Sequence, residues 1–425
     1  MKKFLFSFIL VCSSLFGQPE FDSPSFIPKF PFESEIISLI RTDGDFSVHF
    51  IYKIPYKMLV FERKEETFNA GFRVTVEILD KDSKIVARDI KDSKVIVDNF
   101  EATNDFNLFL QDFLSFKLKP GEYRISTLIS DMNSTGELRL EPKELNLEEG
   151  RDKIVQHPLV INSSEITCGD KKAFTLANSG GNVPFSSDKF HLVIPLTDTS
   201  IKEIDVIIES KDEVVISSKI NESYVIPIGI AECEKQVSVI ADSETIYSRI
   251  FVLRNVNEKL NEGEVTLKVV NEEKSIDEEY QSRIVWFNKP FSLMDPEKAI
   301  EFISAIESDS VVYLLLQESS SDYPKVLKDY WAKFDPDPET AYNEVMFEYY
   351  SRVDFAIKEF KGIGKGNGAK SDRGMVYIKF GKPDKIDRTS NPQGQVMELW
   401  IYSKPERKFT FVDKKGTGNF SLIEN

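Results

Sequence analysis

A period-two alternation of apolar residues constrains the fold of this chain more than any other feature. Apolar side chains occupy every second position from Phe68 to Ile78, which is the pattern of a strand with one buried face. Turn sequences at residues 80–83 and 119–121 are rich in Asp, Pro and Gly, residues that favour tight turns. Short strands with such turns predict a β-sandwich over residues 35–152. The segment 106–118 is ambiguous, because its sequence fits either a strand or one helical turn.

The pattern changes twice further along the chain. Further strand-like runs predict a second β-sandwich over residues 153–290. Asp295 followed by Pro296 then marks a helix start, because Asp caps helices and Pro suits the first helical position. Helical patterns continue to about residue 360 and are followed by a glycine-rich loop at 362–374. Four short strands are predicted after it, at residues 375–380, 385–388, 396–402 and 409–412.

These patterns together predict a multidomain fold class. Two mainly-β, sandwich-like domains precede an α+β domain at residues 291–425, in which helices are followed by a small antiparallel sheet.

The N-terminus predicts export. Lys2 and Lys3 precede an apolar stretch from Phe4 to Phe16, and Gly17 supplies a small residue for cleavage. This order is typical of a signal peptide at residues 1–17, and the apolar part is too short for a membrane anchor. A Pro/Phe-rich extended leader follows at residues 18–34. No later stretch has eighteen consecutive apolar residues, so we expect no transmembrane span in the mature chain, and a periplasmic, extracellular or outer-membrane-associated location.

Charge indicates the class of partner, and the cysteine content raises the question of a disulfide. The net charge of −16 argues against nucleic acid. Residues 361–425, by contrast, hold thirteen Lys and Arg against seven Asp and Glu, which favours an envelope protein partner or an anionic surface. Cleavage would leave Cys168 and Cys233, which in an oxidising compartment either form a disulfide or stay as buried thiols.

Candidate site residues cluster around the glycine-rich loop. The loop is predicted to follow a helix and open a strand, which is the wrong geometry for a phosphate-binding loop. Arg373 is either a ligand-binding guanidinium or a structural residue that forms an internal ion pair with Glu344 or clamps the loop by bonding to its carbonyls. All three histidines lie in the β-rich half, so no nucleophilic triad or zinc site is expected here, and neither a metal nor a cofactor is expected. We name no catalytic residue, and the candidate binding residues are Glu344, Lys370, Ser371, Asp372 and Arg373.

The last hundred residues resemble the GWxTD domain, which is found in exported bacterial proteins. The naming motif reads Gly368-Ala369-Lys370-Ser371-Asp372, so Ala369 stands where the family has Trp and Ser371 where it has Thr. The resemblance implies a fold and a compartment but no activity, because the biochemistry of the family is undefined. It is carried by residues 330–338, 343–344, 349–353, 371–374, 377–378, 380–384, 398–400 and 411–413.

Two functions remain open on the sequence. A non-catalytic envelope protein with a binding, scaffolding or assembly role is the first. The alternative is a hydrolase that acts on glycan or peptide through carboxylates such as Glu344, Asp372 and Glu398. An enzyme requires these acids to converge with Arg373 in a pocket, whereas a binding module shows them paired off and an exposed patch elsewhere.

Overall fold

The computed structural model describes residues 32–104, 108–148, 154–178, 182–211, 213–272, 275–363 and 367–424. The predicted signal peptide at 1–17 and the leader up to residue 31 lie outside the described residues. In the described part, the chain is mainly β, with helices and a small antiparallel sheet at the C-terminal end. The predicted fold class is therefore confirmed. No helix among these residues has the length and apolarity to cross a membrane.

The first β unit is a sandwich. A three-stranded sheet in the order β1–β2–β6 packs against a six-stranded sheet in the order β3–β4–β7–β8, in which β5 pairs with β4 and β9 with β7. The alternating residues Phe72 to Ile78 point into the core between the sheets, as their periodicity predicts. The elements are β1 (Glu33–Ile40), β2 (Phe46–Pro55), β3 (Glu62–Lys64), β4 (Thr67–Asp80), β5 (Ile85–Val97), α1 (Phe100–Thr103), β6 (Phe109–Leu118), β7 (Gly121–Asp131), β8 (Glu137–Arg139) and β9 (Lys143–Leu147).

The ambiguous segment at 106–118 is mostly strand. It contains β6, which pairs with β2 along its whole length, and the short helix α1 precedes it.

The second β unit pairs a closed six-stranded sheet, β10–β11–β17–β16–β18–β13, with an open sheet, β12–β20–β19–β14–β15. A disulfide joins Cys168 to Cys233, with the two Cα atoms 5.3 Å apart. The strands are β10 (Leu159–Cys168), β11 (Lys171–Leu176), β12 (Asn182–Pro184), β13 (Phe190–Leu196), β14 (Ile204–Ser210), β15 (Glu213–Ile220), β16 (Ser223–Cys233), β17 (Gln236–Ala241), β18 (Tyr247–Leu253), β19 (Gly263–Val270) and β20 (Asp277–Val285).

The two β units share a buried interface. Strand β2 is largely buried on both faces. Phe50 and Tyr52 belong to the core of the first sandwich, whereas Ile51 packs with Leu159 and Val193 of the second unit. A strand that is covered on both sides is less strictly alternating, which explains the three consecutive apolar residues at 50–52. The β1–β2–β6 sheet is therefore a middle layer rather than an outer wall.

The described residues of the C-terminal region form five α-helices and a four-stranded antiparallel sheet in the order β21–β22–β23–β24. Asp295 caps α2 by accepting a hydrogen bond from the Lys298 backbone N–H, with Pro296 in the first turn, as predicted. The elements are α2 (Pro296–Phe302), α3 (Asp309–Leu315), α4 (Tyr323–Trp331), α5 (Glu344–Glu359), α6 (Asp372–Phe380), β21 (Lys385–Ser390), β22 (Val396–Ser403), β23 (Glu406–Asp413) and β24 (Ser421–Glu424).

One predicted strand is wrong. Residues 375–380 belong to helix α6, not to the sheet. Ser371 caps this helix, and Gly381 ends it with a positive φ of 78°, a conformation that glycine adopts without steric cost. Residues 375–378 of α6 are four consecutive apolar residues, and so short a run does not distinguish a strand from a helix.

Candidate functional site in the C-terminal region

The segment that was predicted as a loop leads from helix α5 into helix α6. Residues 368–370 form one 3₁₀ turn, and α6 begins at Asp372. The prediction that this segment opens a strand was therefore wrong, because it opens a helix. That prediction was the argument against a phosphate-binding loop. Gly364, Lys365 and Gly366 lie outside the described residues.

Two glycines allow the backbones of α5, the 3₁₀ turn and α6 to approach closely. A Cβ atom on Gly368 would collide with the carbonyl oxygen of Ala356, and a Cβ atom on Gly374 would collide with the carbonyl oxygen of Gly368. Close backbone approach is a role that only glycine fills. These two positions therefore fix how α6 packs on α5.

Ser371 holds the start of α6. Its Oγ accepts a hydrogen bond from the Gly374 backbone N–H at 3.1 Å and donates one to the Gly368 carbonyl at 2.6 Å. A serine or threonine hydroxyl is the usual N-cap, since it satisfies a backbone N–H that the helix leaves without a partner. Both hydrogen-bonding roles of this hydroxyl are used within the chain.

Arg373 lies between two aromatic rings and a carboxylate. Its guanidinium carbon is 4.0 Å from the centroid of the Phe420 ring and 5.2 Å from that of Phe360. Nη1 is 3.3 Å from Oε2 of Glu398, and Nη2 donates to the Gly418 carbonyl at 3.0 Å. Burial lowers the pKa of Arg373, while the charge of Glu398 opposes that shift. The internal partner of Arg373 is thus Glu398 and not Glu344.

Glu398 is the centre of this network. Its side chain is only 3% exposed. Oε1 accepts from Nε of Arg388 at 2.9 Å, and Oε2 accepts from Nε1 of Trp400 at 3.1 Å in addition to Arg373. A buried carboxylate is tolerated when it is paired and hydrogen-bonded. Both oxygens are occupied, so Glu398 is not available as a catalytic acid or base.

The remaining candidate residues point to separate partners. Asp372 is exposed and accepts the Leu422 backbone N–H at 2.7 Å, which ties the start of α6 to β24. Lys370 pairs with Glu301 of α2 at 3.1 Å. Glu344 is exposed in the first turn of α5, where a negative charge favours the helix dipole. The structure does not bring these side chains together around a cavity.

Sequence reasoning missed Asp413 as part of the same network. Its carboxylate accepts backbone N–H groups from Lys415, Thr417 and Gly418, the last at 2.7 Å. Desolvation acts to raise the pKa of Asp413, but these backbone donors outweigh it and leave the pKa below its ordinary value. The loop is thereby shaped so that the Gly418 carbonyl meets Arg373. An Asp followed by a Gly-containing turn was the available signal.

The comparison with protein families decides the identity of this region. The profile described as the GWxTD domain matches residues 271–424. Residues 271–424 form a GWxTD domain. In this GWxTD domain the Trp of the naming motif is replaced by Ala369, which is buried in the core cluster at 1% exposure. The replacement of Thr by Ser371 keeps the capping hydroxyl.

Comparisons over the rest of the chain add little. A search of curated proteins gave no match to the chain. Among solved structures, the chain is similar to "Biofilm associated protein - BSP domain" at 10% identity and a TM-score of 0.17. That alignment covers 61% of this chain and 52% of the other, so the chain spans about half the length of that protein.

Among the described residues there is no group of three or more His, Cys, Asp and Glu side chains placed to hold a metal ion.

Proposed function

We propose that this chain is an exported, non-catalytic protein of the cell envelope with a binding or scaffolding role. The observation that carries the proposal is that polar residues of the GWxTD domain form bonds within the chain. Asp372, Arg373 and Glu398 make internal bonds that hold α6 to the sheet, and the Ser371 hydroxyl is used to cap α6. Residues committed in this way stabilise a fold, and they are not free to bind or transform a substrate.

Export is supported by two independent features. The N-terminal order of lysines, apolar stretch and Gly17 is that of a signal peptide. The Cys168–Cys233 disulfide suits an oxidising compartment, because cytosolic thiols are kept reduced.

The outer face of the C-terminal sheet is the surface that we propose for partner binding. Along β22, Glu398, Trp400 and Tyr402 are buried, whereas Leu399 and Ile401 face the other way and are partly exposed. A partly exposed apolar strip on a sheet face is typical of an interaction surface.

Basic residues flank this strip at Ile401, whereas Leu399 lies between Asp387 and Thr410. Ile401 lies in register between Lys385 of β21 and Lys408 of β23, and both lysines are exposed. Residues 361–425 also carry more basic than acidic side chains. Opposite charge steers association and suppresses wrong partners, so the partner is an envelope protein with an acidic rim around an apolar patch.

Crosslinking in intact cells tests location and partner together. A crosslinker that does not cross the inner membrane is applied to cells with the tagged wild-type chain, Leu399→Lys or the control Val214→Lys. Val214 is an exposed valine on β15, so the control places the same charge on a distant strand. We expect one specific adduct with the wild type and the control, and its loss with Leu399→Lys.

Two results would oppose the proposal. An adduct pattern that is the same for Leu399→Lys and the wild type removes the sheet face as the binding surface. Turnover of glycans or peptides by the purified chain, lost on Glu398→Gln but not on Leu399→Lys, would favour the hydrolase instead.

A further inference from the structure

A cavity lies between the two sheets of the second β unit, and residues within 280–284, at the start of the GWxTD domain, contribute to its lining. Its volume is about 100 Å³. Aliphatic side chains from both sheets line it, including Val160 and Leu192 on one side and Ile208, Val265 and Leu267 on the other. An apolar cavity of roughly 150 Å³ is known to stay dry and to admit benzene. This cavity is therefore suited to an apolar group of slightly smaller size.

A polar network lines the same cavity. Glu35, His157 and Asn178 are all lining residues. Glu35 is 5% exposed and Asn178 is 3% exposed. Oε1 of Glu35 is 2.9 Å from Nε2 of His157, and Oε2 accepts from Nδ2 of Asn178 at 2.6 Å. Asn178 is held in turn, because its Oδ1 accepts the Val160 backbone N–H at 2.8 Å.

This network sets the hydrogen-bonding character of His157. Nε2 of His157 faces a carboxylate oxygen of Glu35, which is the place for a donor. An imidazole whose proton lies on Nε2 presents Nδ1 as an acceptor. Nδ1 has no hydrogen-bond partner within the part of the chain that the structure describes, and the His157 side chain is 35% exposed. A ligand that matches this site brings a donor.

We propose that the cavity is a binding site for a small, mostly apolar molecule with one hydroxyl group, which donates to Nδ1 of His157. An apolar enclosure with a few fixed polar groups at one side is the usual architecture of small-molecule sites. The aliphatic lining holds the carbon skeleton. The Glu35–His157 pair supplies orientation, because the ring is fixed by its bond to a buried carboxylate. The inference goes beyond the envelope function and does not depend on export or on the C-terminal sheet.

Methyl NMR of the full chain with 1-butanol as probe tests the site directly. We expect saturable shifts of the methyl signals of Ile208, Val265 and Leu267, and none for Ile78 in the core of the first sandwich. Methyl propyl ether is an isomer without a donor. Its binding is expected to be about fivefold to tenfold weaker, the ratio that corresponds to one neutral hydrogen bond.

Variants locate the binding. Val265→Phe fills the cavity and is expected to abolish the shifts, whereas Val214→Phe makes the same change on the exposed face of β15 and leaves them intact. Leu267→Phe replaces the first variant if that one does not fold. The proposal is overturned if 1-butanol gives no saturable shift, if the ether binds equally well, or if the cavity-filled variant still binds.

Discussion

Glu398 shows at the scale of one residue how the GWxTD domain uses its polar side chains. The carboxylate is buried between Arg373, Arg388 and Trp400, with no oxygen left over. Removing one partner of a buried ion pair leaves an uncompensated charge, which costs more than the pair itself contributes. The network is therefore a structural element whose loss should appear in stability first.

Replacing Glu398 by Gln should lower the free energy of unfolding by about 3 kcal/mol, because the buried Arg373 keeps its charge and loses its counterion. Glu348→Gln is the control. Glu348 pairs with Arg352 one turn along α5 on the exposed side of the helix, and its loss should cost less than about 0.5 kcal/mol. Urea titration followed by tryptophan fluorescence measures both. Equal effects of the two substitutions would show that the network does not stabilise the domain.

Much of the candidate site could not be predicted at this scale. Local chemistry predicted the helix start at Asp295 and left an internal ion pair as one of two possibilities for Arg373. The partner of Arg373 could not be found, because Glu398 lies 25 positions away and is brought close only by the packing of α6 on β22. Asp413 escaped for a similar reason, since its role depends on a loop that reaches back to Arg373.

Helix α6 illustrates how packing decides the structure of an element. Its apolar residues at 375–378 form a short run, and residues 375–380 were predicted as a strand. A close backbone contact through Gly374 and the cap at Ser371 instead favour the helix. The mainly-β character of the first part of the chain, by contrast, was predictable from alternation and turns alone, because long alternating strands leave little ambiguity.

Gly374→Ala should destabilise the chain by about 3 kcal/mol, at the upper end of the cost of overpacking. The sign of this change in stability is informative, because in a solvent-exposed helix alanine is the better helix former by about 1 kcal/mol and would stabilise the chain. Lys379→Ala, at an exposed position of the same helix, should change stability by less than about 0.5 kcal/mol. Thermal unfolding compares them. A Gly374→Ala variant as stable as the wild type would mean that α6 does not need close backbone contact.

At the scale of the whole molecule, the β1–β2–β6 sheet joins the two β units. Residues on one face of β2 complete the first sandwich, and Ile51 on the other face belongs to the interface with the second unit. His49 lies two positions before Ile51, on the same face, and hydrogen-bonds to Ser115 at 2.8 Å. Its protonation would place a charge at the junction between the units.

Burial lowers the pKa of His49 to about 4 from its ordinary value of 6.5. The folded chain therefore binds fewer protons at this ring than the unfolded chain does. The stability that His49 contributes is complete above pH 6.5 and falls as the pH approaches 4. Between pH 7.5 and pH 5 the loss should be about 2 kcal/mol.

Other groups titrate in the same range, with either sign, so the measurement has to be a difference. Burial raises the pKa of Asp354 to about 6. The stability that this group contributes to the chain is lost as the pH rises. His49→Gln keeps a polar side chain that does not titrate. Urea unfolding at pH 7.5 and pH 5 should show a smaller acid loss in the variant than in the wild type, by about 2 kcal/mol. If the two proteins lose the same stability, His49 stays neutral or solvated in acid, and the junction between the units is not sensitive to its charge.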